Sequence, residues 1–266
     1  MENRILVVGN DEKMWSCCNR LMLHGFDAFC IDRPLKECLD ICRLIVLQIP
    51  TFRYEFVCGT DIYADEFCCM LTDKHTVFSG NVSADFFPCK AFCYGENKNF
   101  KENNSRLTAQ GTLKIILESV KTDLTSLKAA VLGYGACGKE ICRVLKNNGV
   151  SVTSYSRRDI SQREAEKNGI PAVKLDEINE TADRFDIIVN TVPFNIVDET
   201  GLSRMTEKTL YIEIASKPFG FNPVLADSYC FGYVQAGGLP GRFTPVGAGI
   251  NIADTVDKII KEVNYE

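Results

Sequence analysis

Along the first hundred residues, short apolar runs alternate with polar or amphipathic stretches, the pattern of a parallel sheet whose strands are joined by crossover helices. The runs predict strands over Arg4 to Val8, Asp27 to Ile31, Leu44 to Ile49, Thr76 to Ser79 and Ala91 to Tyr94. Between Tyr54 and Met70 no period is sustained, and a loop with a short helix is expected. From Ser105 the period changes. Leu113, Ile116, Leu117, Val120 and Leu124 fall at helical spacing, which predicts a long amphipathic helix from about Thr108 to Leu124 joining two domains. A second alternating series opens with Ala129-Ala130-Val131-Leu132 and continues with strands expected over Ser151 to Tyr155, Asp186 to Asn190, Thr209 to Ile214 and Gly232 to Gln235. A helix from Gly138 to Asn148 should end on Gly149 as its cap. A last helix, with Ile250, Ala253, Val256, Ile260 and Val263 on one face, is expected to pack back across the domain boundary.

Composition narrows the function classes. The chain has 266 residues, 45% hydrophobic and 24% charged, an ordinary globular balance with length for two modest domains. Its formal net charge of -5 is spread along the chain with no basic stripe, so no nucleic-acid partner is expected. No apolar run approaches the roughly 20 residues needed to cross a bilayer, and the start reads as a strand. A cytosolic protein with no membrane partner follows as the expectation. Thirteen cysteines lie mostly in the first third, but none form a C-x-x-C and only His24 and His75 could join them as ligands. Free thiols in a reducing compartment, and no metal, are the reading.

The chemistry is concentrated in the second half. Gly133-Tyr134-Gly135-Ala136-Cys137-Gly138 is a G-x-G-x-x-G directly after an apolar strand and before a helical pattern. Gly133 permits the tight turn, Gly135 lets backbone N–H groups reach a pyrophosphate, and Gly138 lets helix and strand pack closely. A glycine-rich turn without a ligand is the bland alternative. The next strand ends in Ser156-Arg157-Arg158, where NAD enzymes commonly carry a carboxylate for the ribose 2'-hydroxyl. A hydroxyl and two guanidinium groups suit a 2'-phosphate, so NADP is expected, unless the arginines are merely solvated. Asn190-Thr191-Val192-Pro193 follows a later strand, where an open α/β sheet binds its ligand. The expected fold is therefore α/β, with two doubly wound parallel-sheet domains joined by a long helix. Residues 1–104 form a flavodoxin-like substrate-side domain, 105–126 the connecting helix, 127–245 a Rossmann NADP-binding domain, and 246–266 the returning helix.

Glu213-Ile214-Ala215-Ser216-Lys217-Pro218 and Gly237-Gly238-Leu239-Pro240-Gly241-Arg242 each follow an expected strand. With these segments the chain resembles the A-type subunits of the bacterial dipicolinate synthase family. The likeness also rests on Val8-Gly9-Asn10-Asp11, Phe78-Ser79-Gly80, Asn104-Ser105 leading to Gly111-Thr112, the phosphate loop and Asn190 to Pro193. It implies a two-domain enzyme in the mother-cell cytosol of a sporulating bacterium. The implied reaction is oxidation of a dihydrodipicolinate-type dicarboxylate ring to dipicolinate, with NADP accepting hydride. The implied partner is a flavoprotein-like second subunit of the synthase, the B-type polypeptide. A homo-oligomer is compatible with this. Lys217 and Arg242 are the cations expected to orient the carboxylates, with Ser79, Asn104 and Thr108 on the other domain's side of the substrate.

Five positions depart from the family pattern. Gln110 stands where Glu is usual, Leu107 for Pro, Lys217 for Arg, and Val246-Gly247 for Lys-Thr. Gln110 cannot act as the proton acceptor a carboxylate would be, and Arg106 and Arg242 are extra cations. A D-2-hydroxyacid dehydrogenase would need a histidine near the late cofactor-domain strands, and none follows His75. Shikimate dehydrogenase-like enzymes and adenosylhomocysteine hydrolases fit less well in residues and length. The rival from another class is a non-catalytic NADP-binding protein that positions or senses cofactor for a partner.

Overall fold

The computed structural model describes residues 3–31 and 35–264, which divide into two compact units, Met1–Asn104 with Thr244–Glu266, and Ser105–Phe243. In the first unit, strands β1 (Arg4–Val7), β2 (Asp27–Cys30), β3 (Leu44–Val46), β6 (Thr76–Ser79) and β7 (Lys90–Cys93) form a parallel sheet in the order β2-β1-β3-β6-β7. This is the flavodoxin-like doubly wound order. Successive side chains of a strand point to opposite faces, so β1 feeds two cores. Ile5 and Val7 pack with Met14, Cys17 and Leu21 of α1 (Glu12–Leu23) and with Ile252, Ala253 and Val256 of the C-terminal helix Pro245–Asn264. Leu6 and Val8 pack on the other face with Leu35 and Cys38 of α2 (Leu35–Asp40) and Phe67 of α3 (Ala64–Met70). The buried face of the C-terminal helix is thus centred on Ile252, while Ile250 is exposed. Gly249 allows its backbone close to α1, since a Cβ there would fall 2.1 Å from the Lys13 carbonyl oxygen.

The segment from Tyr54 holds more than the expected loop and helix. A two-stranded antiparallel hairpin, β4 (Phe52–Arg53) with β5 (Phe56–Val57), precedes α3. The long helix α4 runs Lys98–Ser119, earlier at both ends than its apolar period indicates. Its polar first turns conceal the start, which Asn97 caps by accepting from the Asn99 and Phe100 N–H groups. At the other end Asp123 accepts from the Thr125 N–H and turns the chain into a short 3-10 segment at Leu124–Ser126.

The second unit carries six parallel strands, one more than expected. β8 (Lys128–Leu132), β9 (Ser151–Ser156), β10 (Ala172–Lys174), β11 (Ile187–Asn190), β12 (Leu210–Glu213) and β13 (Gly232–Gln235) lie in the order β10-β9-β8-β11-β12-β13. That is the Rossmann order, whose direction of winding reverses between β8 and β11. Ala129 and Val131 face Ile141, Cys142 and Leu145 of α5 (Ala136–Asn147), together with Ile116 of α4. Ala130 and Leu132 face Ile178 of α7 (Ile178–Thr181) and Leu202 of α8 (Glu199–Arg204). Between β9 and β10 runs α6 (Asp159–Lys167), and α9 (Leu239–Phe243) follows β13. Gly149, at φ +85°, ends α5 as a left-handed cap.

All thirteen cysteines are free thiols, and Cys17, Cys38 and Cys142 are fully buried as small hydrophobes. Among the described residues no helix is long and apolar enough to cross a membrane.

Candidate functional site

The strand register brings the ends of the central strands level. Leu132 pairs with both Tyr155 and Asn190, and Asn190 pairs with Glu213. The residues that follow these positions therefore gather at one edge, at the point where the winding reverses. A cavity of about 550 Å³ opens there, lined by the whole phosphate loop Gly133, Tyr134, Gly135, Ala136, Cys137 and Gly138, by Ser156, Arg157 and Arg158, and by Thr191, Val192 and Pro193.

Each glycine has a distinct local reason. Gly133 adopts φ +97°, and a Cβ on it would meet the Thr191 hydroxyl at 2.5 Å. A Cβ on Gly138 would lie 2.0 Å from the Gly133 carbonyl oxygen, so the first turn of α5 and the end of β8 can touch only without a side chain. Gly135 is the N-cap of α5, and a Cβ there would meet nothing within 4 Å. It faces open space into which the unpaired N–H groups of the helix start can present themselves. Thr191 locks the opposite wall, its N–H donating to the Leu132 carbonyl at 2.9 Å and its hydroxyl at 2.8 Å. The Tyr134 ring is buried, which raises its phenol pKa, and its hydroxyl accepts from Asn168. The Cys137 thiol lies 3.5 Å from the Ser105 hydroxyl.

At the other end of the cavity the Ser156 side chain is buried, yet its Oγ has no hydrogen-bond partner. A buried hydroxyl left unpaired is costly, and this one lies where a dinucleotide ribose would come. Arg157 is exposed, with its guanidinium 5.8 Å from the centre of the Phe194 ring. Arg158 is the N-cap of α6. None of the described residues lining the cavity is a carboxylate. The glycine cradle, the open helix start and the unpaired Ser156 hydroxyl together fit a bound dinucleotide.

Asn190 is placed differently from its neighbours. It is fully buried and absent from the cavity wall, and its amide donates to both oxygens of Glu213. Glu213 is itself buried; burial pushes its carboxyl pKa up, against N–H donors from Gly220, Asn190 and Ala215 that pull it down. Lys217 is exposed on the loop after β12, where Phe219 takes φ +69°. Arg242, also exposed, stacks on Phe243 of α9 at 5.3 Å. Gln110 is exposed on α4 next to Gly111, where a Cβ would fall 2.9 Å from the Leu239 side chain. Gln110 and Arg242 thus sit on adjoining elements, and Lys217 lies on a third. Sequence reasoning missed Ser161 and Leu175 in the cavity wall, Phe194 beneath Arg157, and the role of Glu213.

Residues 93–217 match the NAD binding domain of the D-isomer specific 2-hydroxyacid dehydrogenases. The A-type subunit of dipicolinate synthase from Bacillus subtilis (strain 168) is 31% identical over 163 residues, 61% of this chain and 55% of the relative. The match thus spans little more than half of that relative's length. The solved structure of the dipicolinate synthase A-type polypeptide from Bacillus subtilis superposes with a TM-score of 0.83 at 23% identity, covering 100% of this chain and 98% of the other. The corresponding structure from Bacillus halodurans gives 0.86 at 19% identity, with 98% of each chain covered. The resemblance read from the motifs is therefore present in sequence and in fold. The second unit is of the kind that binds a nicotinamide dinucleotide. The likeness to 2-hydroxyacid dehydrogenases concerns that dinucleotide-binding part, while both histidines of the chain, His24 and His75, belong to the first unit.

Proposed function

We propose that the chain is an oxidoreductase that binds NADP and oxidises a small cyclic dicarboxylate of the dihydrodipicolinate type to aromatic dipicolinate. The observation that carries the reading is the unpaired, buried Ser156 hydroxyl beside Arg157, Arg158 and Ser161 in a cavity wall without carboxylates. A 2'-phosphate would accept from that hydroxyl and from both guanidinium groups, whereas the bare 2'-hydroxyl of NAD would find no carboxylate to accept from it. NADP, when bound, would supply the hydride acceptor, and the proton that the ring also loses on aromatising would pass to solvent.

The chain's own residues bind and orient. Gly133 to Gly138 hold the pyrophosphate on backbone N–H groups, and Thr191 to Pro193 close the wall toward the nicotinamide end. Lys217 and Arg242 hold the ring carboxylates by charge-assisted hydrogen bonds, fixing the reacting carbon. Gln110 offers a hydrogen bond and takes up no proton at neutral pH. Aromatisation supplies the driving force, so alignment is the protein's main contribution. The relatives are named as one type of subunit of a synthase, which supports a second, different subunit as partner, and the reaction belongs in the cytosol of a spore-forming bacterium.

The second reading, a non-catalytic NADP-binding protein, is favoured by Gln110 and Val246, which stand where the family resemblance calls for a carboxylate and a cation. Calorimetric titration with NADP and NAD, repeated with dipicolinate present, separates the cases. NADP binding that tightens with dipicolinate supports the synthase reading. NADP binding that ignores dipicolinate leaves the cofactor site and removes the substrate, and equal affinity for NAD removes the 2'-phosphate site.

A further inference from the structure

β12 runs Leu210-Tyr211-Ile212-Glu213, an apolar strand closed by a carboxylate that is 1% exposed. That carboxylate is surrounded by donors. The Asn190 Nδ2 lies 2.8 Å from Oε1 and 3.0 Å from Oε2, the Ala215 N–H donates to Oε1 at 3.0 Å, and the Gly220 N–H donates to Oε2 at 2.8 Å. Asn190 carries the connection further, because its Oδ1 accepts from the Val192 N–H at 2.9 Å and its Nδ2 also reaches the Val192 carbonyl at 3.0 Å.

One side chain thus grips two loops. Through Asn190 it shapes Thr191 to Pro193, the wall of the dinucleotide cavity. Through Ala215 and Gly220 it pins both ends of the segment that carries Lys217. Within that segment Phe219 is held at φ +69°, a left-handed conformation that a bulky residue adopts only when its surroundings impose it. The fit at Gly220 is close, since a Cβ there would lie 2.2 Å from the Tyr211 hydroxyl and 2.7 Å from the Asn190 Nδ2. A buried carboxylate is a poor choice for stability alone, because apolar residues of similar volume often serve as well or better. It is the right choice where the hydrogen-bond partners are all N–H donors, since an ionised carboxylate only accepts.

We propose that Glu213 is a positioning residue that couples the cofactor loop to the Lys217 loop, so that filling the dinucleotide cavity orders the segment meant to hold the substrate carboxylate. This rests on the roles assigned above to Thr191–Pro193 and Lys217. Glutamine has the same shape but must turn an NH2 toward one of the donors, so it breaks at least one side of the connection.

The test is hydrogen–deuterium exchange of single amides, followed by NMR on the full chain with and without NADP. In the free protein, Glu213→Gln should speed exchange by about tenfold or more at Gly220 or at Ala215, whichever N–H faces the new NH2, with the Lys139 amide of α5 unchanged as control. Asn190→Ala, which leaves Glu213 and the Gly220 N–H in place, should speed exchange at Val192 alone. In the native chain NADP should slow exchange at Gly220, although the cofactor is assigned no contact there, and both variants should abolish that transmitted effect. Unchanged exchange at both Gly220 and Ala215 in Glu213→Gln, or the same NADP effect at Gly220 in Asn190→Ala as in the native chain, overturns the proposal. If Glu213→Gln does not fold, Asn190→Ala decides. If NADP protects no amide of the native chain, the proposed function falls, and the ligand-free exchange still decides whether Glu213 holds both loops.

Discussion

Two glycines of the phosphate loop should respond to the same change in opposite ways. Gly138→Ala places a Cβ 2.0 Å from the Gly133 carbonyl oxygen and 2.8 Å from its carbonyl carbon. An ordinary C···O contact is about 3.3 Å, so α5 and the loop must separate by roughly 1 Å. Both partners are backbone, and no side chain can swing away. Overpacking of this kind costs about 1–3 kcal/mol, and shifting Gly133 also strains its N–H bond to the Tyr155 carbonyl at 2.7 Å, which adds about 1 kcal/mol. A loss near 3 kcal/mol, at about 2–4 °C per kcal/mol, lowers the melting temperature by roughly 6–12 °C. Gly135→Ala meets nothing within 4 Å and keeps an allowed backbone at φ -83°, ψ -166°. Its only penalty in the free protein is a poorer N-cap, on the order of 0.5–1 kcal/mol. The methyl group nonetheless intrudes where the pyrophosphate must approach, so NADP affinity should fall at least about tenfold, equivalent to ~1.4 kcal/mol. Thermal melting and calorimetric titration of both variants make the comparison. Undiminished NADP binding by Gly135→Ala, or an unshifted melting temperature for Gly138→Ala, refutes the assignment of these positions.

Arg157→Asp combined with Arg158→Ala should weaken NADP more than NAD in calorimetry, and equal losses would sink the 2'-phosphate assignment. Gly249→Ala drives a Cβ to 2.1 Å from the Lys13 carbonyl and 2.7 Å from the Cys17 nitrogen, so melting should drop by several degrees without change in dinucleotide affinity. Asp254 is partly buried, which opposes its charge, but hydrogen bonds from Arg20 and His24 outweigh this and hold its pKa below 3.8. Its contribution to stability is therefore present above that unfolded value and lost as pH falls through the lower folded one; Asp254→Asn should flatten this acid limb of a stability-against-pH curve. Burial pushes the Cys42 and Cys142 thiols up to about 12, so iodoacetamide at pH 8 should spare both in the folded protein while labelling the exposed Cys69 and Cys230. Mass spectrometry of the labelled peptides reads the result.

The parallel sheets were legible because their central strands are buried on both faces and stand out as unbroken apolar runs such as Leu44-Ile45-Val46 and Ile187-Ile188-Val189. β10 was not. Ala172-Val173-Lys174 pairs only with β9 at the sheet edge and is only partly buried, so its composition carries little signal. The first turns of α4, Lys98-Asn99-Phe100-Lys101, show a single buried apolar residue, Phe100, and the helix there is set by the Asn97 cap. Ser161 on α6 and Leu175 after β10 line the cavity from elements remote in sequence from the phosphate loop, a relation that local pattern does not record.

The same distinction separates the two halves of the function. A pyrophosphate is held largely by consecutive backbone N–H groups at one strand-to-helix turn, so the glycines that hold it are neighbours in sequence and readable there. Ring carboxylates need side chains from separate loops, here assigned to Lys217, Arg242 and Gln110 on three elements; the first two were singled out by their place after expected strand ends, and the family resemblance supplied the substrate and Gln110. Glu213 lies between these extremes. It ends a strand whose Tyr211 and Ile212 are fully buried, at a position level with Asn190 on the neighbouring strand. A carboxylate at the last place of such a strand must find several donors nearby or not be ionised at all. That requirement can be read from Tyr211-Ile212-Glu213 once the strand is assigned, and its donors Ala215 and Gly220 lie in the loop that follows.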